Sequence, residues 1–228
     1  MRILCVTHAD FETPGVITTW AAERGHDFTV KQPYSGDELP NADAFDFLIV
    51  MGGPQSATEW VKYSYLKNEI DLIRDALDNN KPIIGFCLGA QLIGEALGAT
   101  ALRSPNKEVG VYPVMLNEDG ENDLLLQGLP QSFPVIHWHN DMPGLTKDAV
   151  LLGFSEGCPR QIIRYKPNVY GFQCHLEITL DGVKTMIKAV PEDLNPSKYT
   201  QTENELLNND YQSINETMYK LLDRMVTL

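Results

Sequence analysis

Ile83–Ile84–Gly85–Phe86–Cys87–Leu88–Gly89–Ala90–Gln91 is the most informative segment of the chain. Pro82 opens a short apolar run, a candidate strand, which ends in the pattern G-x-C-x-G. A helical pattern then runs from Leu88 to Leu97 and stops at Gly98. A strand that bends directly into a helix through two glycines makes a sharp turn, and the residue at its apex stands above the sheet edge. Here that residue is a cysteine. The helix that begins there points its N-terminal dipole at the thiol and favours the thiolate. The free N–H of Leu88 can donate to an oxyanion. Taken alone, the pattern also fits a small buried thiol between packing glycines.

Upstream, short apolar runs alternate with helical patterns. Ile3–Val6, Phe28–Val30 and Phe45–Met51 read as strands, the last apolar enough to be buried on both faces. Pro14 stands where a first helical turn tolerates a missing N–H, and that helix runs through Trp20 to end at Gly25. Leu66, Ile70, Ile73 and Leu77 recur at helical spacing. Strands alternating with helices predict a parallel sheet covered on both faces. After Thr100 the rhythm changes to five strand candidates: Val109–Leu116, Phe133–Trp138, Val150–Phe154, Gln161–Arg164 and Val169–Phe172. These read as a meander appended to the sheet, or as its antiparallel edge. Pro191–Thr202 reads as a flexible connector. Beyond it Leu207, Tyr211, Ile214, Met218, Leu221 and Met225 form the stripe of a last amphipathic helix, expected to pack on its own domain in preference to a partner seam.

A cysteine nucleophile needs a base, and the base needs an orienting group. His175 follows the strand candidate Val169–Phe172, with Glu177 two residues on, and period two places both side chains on one face. The order Cys…His-x-Glu differs from that of α/β-hydrolases, which place the acid before the histidine. His8 and His26, near the ends of the first two strands, read as structural. At Met51–Gly52–Gly53–Pro54, two glycines let backbone N–H groups approach a ligand and complete an oxyanion hole. This position lies beyond the carboxyl end of a strand, where open α/β sheets place their sites. In His137–Trp138–His139–Asn140–Asp141, two imidazoles share a strand face. No third ligand has convincing spacing, so a substrate-binding loop is the better reading of this segment than a metal site. A structural turn at Asn140–Asp141 stays open. Nothing in the pattern calls for a metal or another cofactor.

Composition narrows the function classes. Lys and Arg number 18 against 31 Asp and Glu, a net charge of −13, which disfavours broad binding to nucleic acid or anionic membranes. Four cysteines without a CxxC pair suit a reducing compartment. The N-terminus lacks the longer apolar run of a signal peptide, and no stretch reaches the ~18 apolar residues of a membrane span. A cytoplasmic location is the expectation.

Gly52-Gly53-Pro54, Gly85-x-Cys87-x-Gly89-Ala-Gln91 and His175-x-Glu177, in this order, resemble the class I glutamine amidotransferases, in particular stand-alone members related to the glutaminase domain of GMP synthase. Softer landmarks are Phe11-Glu12-Thr13-Pro14-Gly15, Glu23-Arg24-Gly25-His26, Lys107-Glu108-Val109-Gly110 and His139-Asn140-Asp141. The resemblance covers about residues 1–190. It implies an open, mostly parallel (flavodoxin-like) sheet with helices on both faces and an antiparallel strand extension, followed over 191–228 by the connector and terminal helix. It also implies a reaction: Cys87, His175 and Glu177 would hydrolyse the γ-carboxamide of glutamine through a thioester, with Gly53 and Leu88 facing the oxyanion. Gln91, Gly52 and the backbone of His139, Asn140 and Asp141 would hold the rest of the substrate. Ammonia transfer would require a synthetase partner, since only about 38 residues follow the resembling region. Two other functions stay open, a hydrolase of γ-glutamyl amides or peptides and a binding module without turnover. The family usually has Phe-His-Pro-Glu where this chain has Cys174-His175-Leu176-Glu177, and methionine where it has Gln55. Its close relatives carry Gly-Trp in place of Gly110-Val111. These departures bear on substrate preference.

Overall fold

Side chains of the first strands alternate between two cores. The computed structural model describes the whole chain, Met1–Leu228. Its first half contains strands Arg2–Val6 (β1), Asp27–Lys31 (β2), Phe47–Val50 (β3) and Ile83–Phe86 (β4), interleaved with helices Val16–Glu23 (α1), Ser64–Asp78 (α2) and Leu88–Ala96 (α3). Ile3, Cys5, Phe47, Ile49, Ile84 and Phe86 enter one core, with Ile17 and Trp20 of α1. Leu4, Val6, Leu48, Val50 and Ile83 enter the other, with Leu66, Ile70 and Ile73 of α2 and Leu92 of α3. Strands buried on both faces need no polar residues, which is why these runs are continuous in the sequence.

The second half contributes Leu102–Leu116 (β5), Glu118–Glu121 (α4), Ser132–Met142 (β6), Val150–Phe154 (β7), Ile162–Lys166 (β8), Val169–Phe172 (β9), Leu180–Ala189 (α5), Tyr199–Thr200 (β10), Glu203–Leu207 (α6) and Tyr211–Met225 (α7). One ten-stranded sheet runs β10-β5-β7-β8-β9-β4-β3-β1-β2, with β6 paired to β5. The order β2-β1-β3-β4-β9 is parallel throughout, the flavodoxin-like arrangement. From β9 onward the pairing turns antiparallel through β8, β7, β5 and β6. The five later strands thus form an antiparallel wing whose last member, β9, is inserted beside β4.

Three local expectations are revised. Helix α1 begins at Val16, two residues past Pro14, because Gly15 lies between them at φ 55, where a Cβ would collide with the carbonyl of Glu177. Strand β5 starts seven residues earlier than the apolar run, at Leu102, and a register shift between Arg103 and Glu108 accommodates Pro105. The segment 191–202 contains a 3-10 turn, Pro191–Leu194, and the short strand β10, parallel to β5. Helix α7 buries Ile214, Met218, Leu221 and Met225 in the same core as α1 and α5. Trp20 Nε1 of α1 donates to Asp223 of α7 at 2.8 Å. No helix is long and apolar enough to cross a membrane.

Candidate active site

Cys87 caps α3 with φ 48, a left-handed conformation that a non-glycine residue adopts only where the surroundings enforce it. Two backbone bonds enforce it here: Cys87 N–H donates to Phe172 at 2.7 Å, and Gly89 N–H to Met51 at 3.1 Å. The flanking glycines let the turn close. A Cβ at Gly89 would lie 2.1 Å from the Val50 carbonyl oxygen, and one at Gly85 would lie 2.5 Å from the Gly89 carbonyl carbon. Leu88 is the first residue of α3, so its N–H has no partner within the helix.

Insertion of β9 beside β4 brings His175 to this turn. An isolated bridge fixes its backbone to Ile136 of β6, through N–H···O contacts of 2.9 and 2.7 Å. His175 Nδ1 lies 2.6 Å from Glu177 Oε1, and Glu177 Oε2 accepts the Leu176 N–H at 3.0 Å. Both side chains are buried. Burial pushes the basicity of His175 down, but the charge of Glu177 and the hydrogen bonds of the ring to Cys87 and Glu177 outweigh it, so its pKa is raised well above the ordinary value. Support comes from two other elements. The N–H of Val16, at the start of α1, donates to the Glu177 carbonyl at 3.0 Å. Asn215 Nδ2 of α7 donates to the carbonyls of Leu176 and Ile178 at 2.8 and 3.0 Å.

Gly52 and Gly53 follow β3 and complete one wall. A Cβ on Gly52 would lie 3.4 Å from Cys87 Cβ and 3.1 Å from His175 Cε1. The Gly53 N–H has no acceptor within the protein. Gly53, Cys87 and Leu88 open into a cleft of ≈490 Å³ that is also lined by Glu12, Gln55, Gln91, Trp138, Asn140 and Asp141. A larger open groove, ≈880 Å³, between residues 33–43 and α2 contains none of these groups.

The remaining expected residues divide. Asn140 and Asp141 stand at the rim and accept from Arg103 at 3.1 and 3.3 Å. Gln91 is buried, and its Nε2 donates to Gln173 at 3.0 Å. The His139 ring turns away from the cleft: Nδ1 donates to the Asp141 carbonyl, and Nε2 lies 3.0 Å from Glu108 Oε2. The strand face carrying His137 and His139 therefore gathers a third group, Glu108, which the spacing did not reveal. Glu108 also accepts from Ser155 at 2.8 Å and from Gln161 at 2.8 Å. Its oxygens are thereby engaged in a buried hydrogen-bonded brace behind the cleft. His137 Nδ1, 3.6 Å from Glu108 Oε2, is the ring nitrogen left without a partner.

Two carboxylates enter the cleft without a sequence assignment. Burial pushes Glu12 up to about 7, against the lowering influence of His175 and His8. Asp193, in the turn after α5, accepts from Trp138 Nε1 and Lys107 Nζ at 2.8 and 2.9 Å. It thereby fixes the 191–194 turn as a wall of the cleft. Burial raises the pKa of Cys5, Cys158 and Cys174 and holds them as thiols, and no disulfide joins any of the four cysteines.

Comparison with known proteins places the chain in a family. A glutamine amidotransferase-like protein of Salmonella typhimurium is 43% identical, covering 99% of this chain and 97% of its own. A glutamine-hydrolysing GMP synthase subunit from Thermoplasma volcanium is 33% identical over 62% of this chain and 67% of its own. The crystal structure of a glutamine amidotransferase from Thermotoga maritima superposes with a TM-score of 0.90 at 27% identity, covering 100% of this chain and 99% of that one. The model of the family "Glutamine amidotransferase class-I" matches residues 10–189, and the chain belongs to that family.

Proposed function

We propose that this protein hydrolyses the γ-carboxamide of glutamine through a γ-glutamyl thioester on Cys87. The observation that carries the reading is the His175–Glu177 contact of 2.6 Å, together with a cysteine held at φ 48 that shares its cleft with Gly53 and Leu88. His175 accepts the thiol proton, and Cys87 Sγ attacks the amide carbon. The negative charge on the carbonyl oxygen is met by the Gly53 and Leu88 N–H groups. Collapse breaks the C–N bond, and His175 delivers its proton to the departing nitrogen, releasing ammonia. Water, deprotonated by His175, then adds to the thioester, and the C–S bond breaks to give glutamate and the free thiol. Glu177 keeps the Nδ1 hydrogen in place and stabilises the charged ring throughout.

Gly52, Gln91 and the backbone of residues 139–141 are the groups that would hold the amino-acid end of the substrate. A separate synthetase would receive the ammonia, and the free cysteines suit a reducing, cytoplasmic setting. A second reading, hydrolysis of γ-glutamyl amides or peptides, is favoured by the cleft itself. Its ≈490 Å³ exceeds what glutamine alone needs and leaves room for a larger amine.

Ammonia release from glutamine and amine release from γ-glutamyl amides, by wild type and Cys87→Ala, separate these readings. The expected result is turnover by wild type alone, with a γ-glutamyl adduct on Cys87 seen by mass spectrometry. Equal rates for wild type and variant on every substrate would leave a binding module in this fold.

A further inference from the structure

Glu69 is an expensive residue to bury. It sits on the face of α2 that packs on the sheet, 1% exposed, where an unpaired carboxylate is strongly disfavoured. Its Oε2 lies 2.6 Å from His8 Nε2, and its Oε1 has no partner. His8, at the end of β1, is equally sealed, and its Nδ1 donates to the Gly52 carbonyl at 2.9 Å. That direction does not depend on where the proton shared with Glu69 rests. A carbonyl only accepts, so Nδ1 carries a hydrogen in either case. Burial pushes the His8 pKa down, but the charge and hydrogen bond of Glu69 outweigh it and leave the pKa raised, in keeping with a cationic ring.

A trans peptide is planar, and its C=O and N–H point in opposite directions. Holding the Gly52 carbonyl toward His8 therefore turns the Gly53 N–H away from His8, where it meets no acceptor in the protein. The anchored peptide runs beside Cys87 and His175. Two successive glycines have little steric preference of their own. Rotation of this peptide would put a carbonyl oxygen where a donor is needed.

We infer that Glu69 and His8 are positioning residues that lock the Gly52–Gly53 peptide with its N–H in the oxyanion hole, so that the hole stands ready before substrate or any partner protein arrives. This rests on Cys87 being the nucleophile, as proposed above. The imidazole also polarises the peptide: a donor on the Gly52 oxygen draws electron density through the amide and makes the Gly53 N–H a stronger donor.

The test compares wild type with His8→Leu, His8→Asn and Glu69→Gln, each checked by thermal melting. Asn keeps an N–H donor near the position of Nδ1, and Leu does not. For His8→Leu, kcat for glutamine or a γ-glutamyl amide falls about 10- to 100-fold at nearly constant KM, and His8→Asn regains most of it. Alkylation of Cys87 by iodoacetamide, which forms no oxyanion, proceeds at the wild-type rate in all variants. In protein labelled with ¹⁵N-glycine, the Gly53 amide signal moves in Glu69→Gln and in His8→Leu. That readout needs no turnover. A wild type inert toward every γ-glutamyl compound would overturn the proposed function and leave the amide signal to decide the present inference. An unmoved Gly53 signal overturns it, as does a wild-type kcat in His8→Leu or a parallel loss of alkylation. Should His8→Leu fail to fold, Glu69→Gln carries the test.

Discussion

Gly89→Ala adds one methyl where the cysteine turn meets β3. The new carbon would lie 2.1 Å from the Val50 carbonyl oxygen and 2.6 Å from the carbon that bears it, about 1 Å inside van der Waals contact. Neither neighbour is the end of a flexible side chain. On one side is the carboxyl end of a strand buried on both faces, and on the other the first turn of α3. Relief requires the start of α3 to move from β3 by about 1 Å, an overpacking cost of roughly 1–3 kcal/mol. For a chain of this size that is a fall of roughly 3–10 °C in Tm. The same movement breaks the Gly89 N–H to Met51 bond of 3.1 Å and displaces Cys87 and the Leu88 N–H from His175. A misplacement of about 1 Å at the reacting atoms lowers the rate about 100-fold. The assay is steady-state hydrolysis of glutamine or a γ-glutamyl amide together with a melting curve. A Gly89→Ala protein with unchanged Tm and kcat within about twofold of wild type would refute the claim that backbone packing aims the nucleophile.

Glu177→Gln removes the charge that holds the Nδ1 hydrogen of His175 and leaves the shape of the site intact. The expected kcat falls about 10²- to 10⁴-fold, and the His175 pKa moves down toward the ordinary imidazole range, read from the pH dependence of Cys87 alkylation; an unmoved profile would show that Glu177 does not govern the ring. Glu12→Gln tests the second carboxylate. Its pKa of about 7 lies above the 4.5 of an unfolded glutamate, so ionisation costs the folded state nothing below pH 4.5 and its full amount above pH 7. The variant therefore gains stability relative to wild type as pH rises through that window, by about 2 kcal/mol at most once partial exposure is discounted. Melting curves at pH 4.5 and 8 check this, and a constant difference in Tm would contradict it.

What the sequence disclosed was local. The strand, the glycines, Cys87 and the start of α3 lie within nine consecutive residues, and their chemistry follows from that order alone. The pairing of His175 with Glu177 was legible from their spacing, although the segment is held by an isolated bridge and bends beyond β9 and does not continue the strand. Sheet order was not legible. Whether Val169–Phe172 joins an appended meander or enters beside β4 depends on pairing across more than eighty residues, and no propensity reports it. The His139 ring illustrates the limit at one residue. Alternation says that His137 and His139 share a face, but only the pairing of β5 with β6 shows that the face holds Glu108. Glu69 did leave a signal. It interrupts the stripe of Leu66, Ile70, Ile73 and Leu77 at a position that helical spacing assigns to the core, where a carboxylate is rarely left without a task.

Residues 191–228 lie beyond the matched family region, yet they reach the site by two routes. Asn215 of α7 occupies the carbonyls on either side of Glu177, those of Leu176 and Ile178, and Asp193 ties the wall after α5 to Trp138 and Lys107. The carbonyls of Leu176 and Ile178 and the indole N–H of Trp138 belong to buried residues that would otherwise lack a partner, so these contacts cost little to keep and much to break. The His-x-Glu segment follows β9 without being part of the sheet ladder. It is held by the bridge at Ile136, the N–H of Val16 and Asn215. Here the family's usual proline is replaced by Leu176, whose N–H is consequently free to donate to Glu177 Oε2 at 3.0 Å. A proline at 176 would offer no such hydrogen. The leucine therefore does more than preserve the spacing of His175 and Glu177. It supplies the carboxylate with a second donor, while Asn215 of the terminal helix holds the carbonyls on either side of that carboxylate.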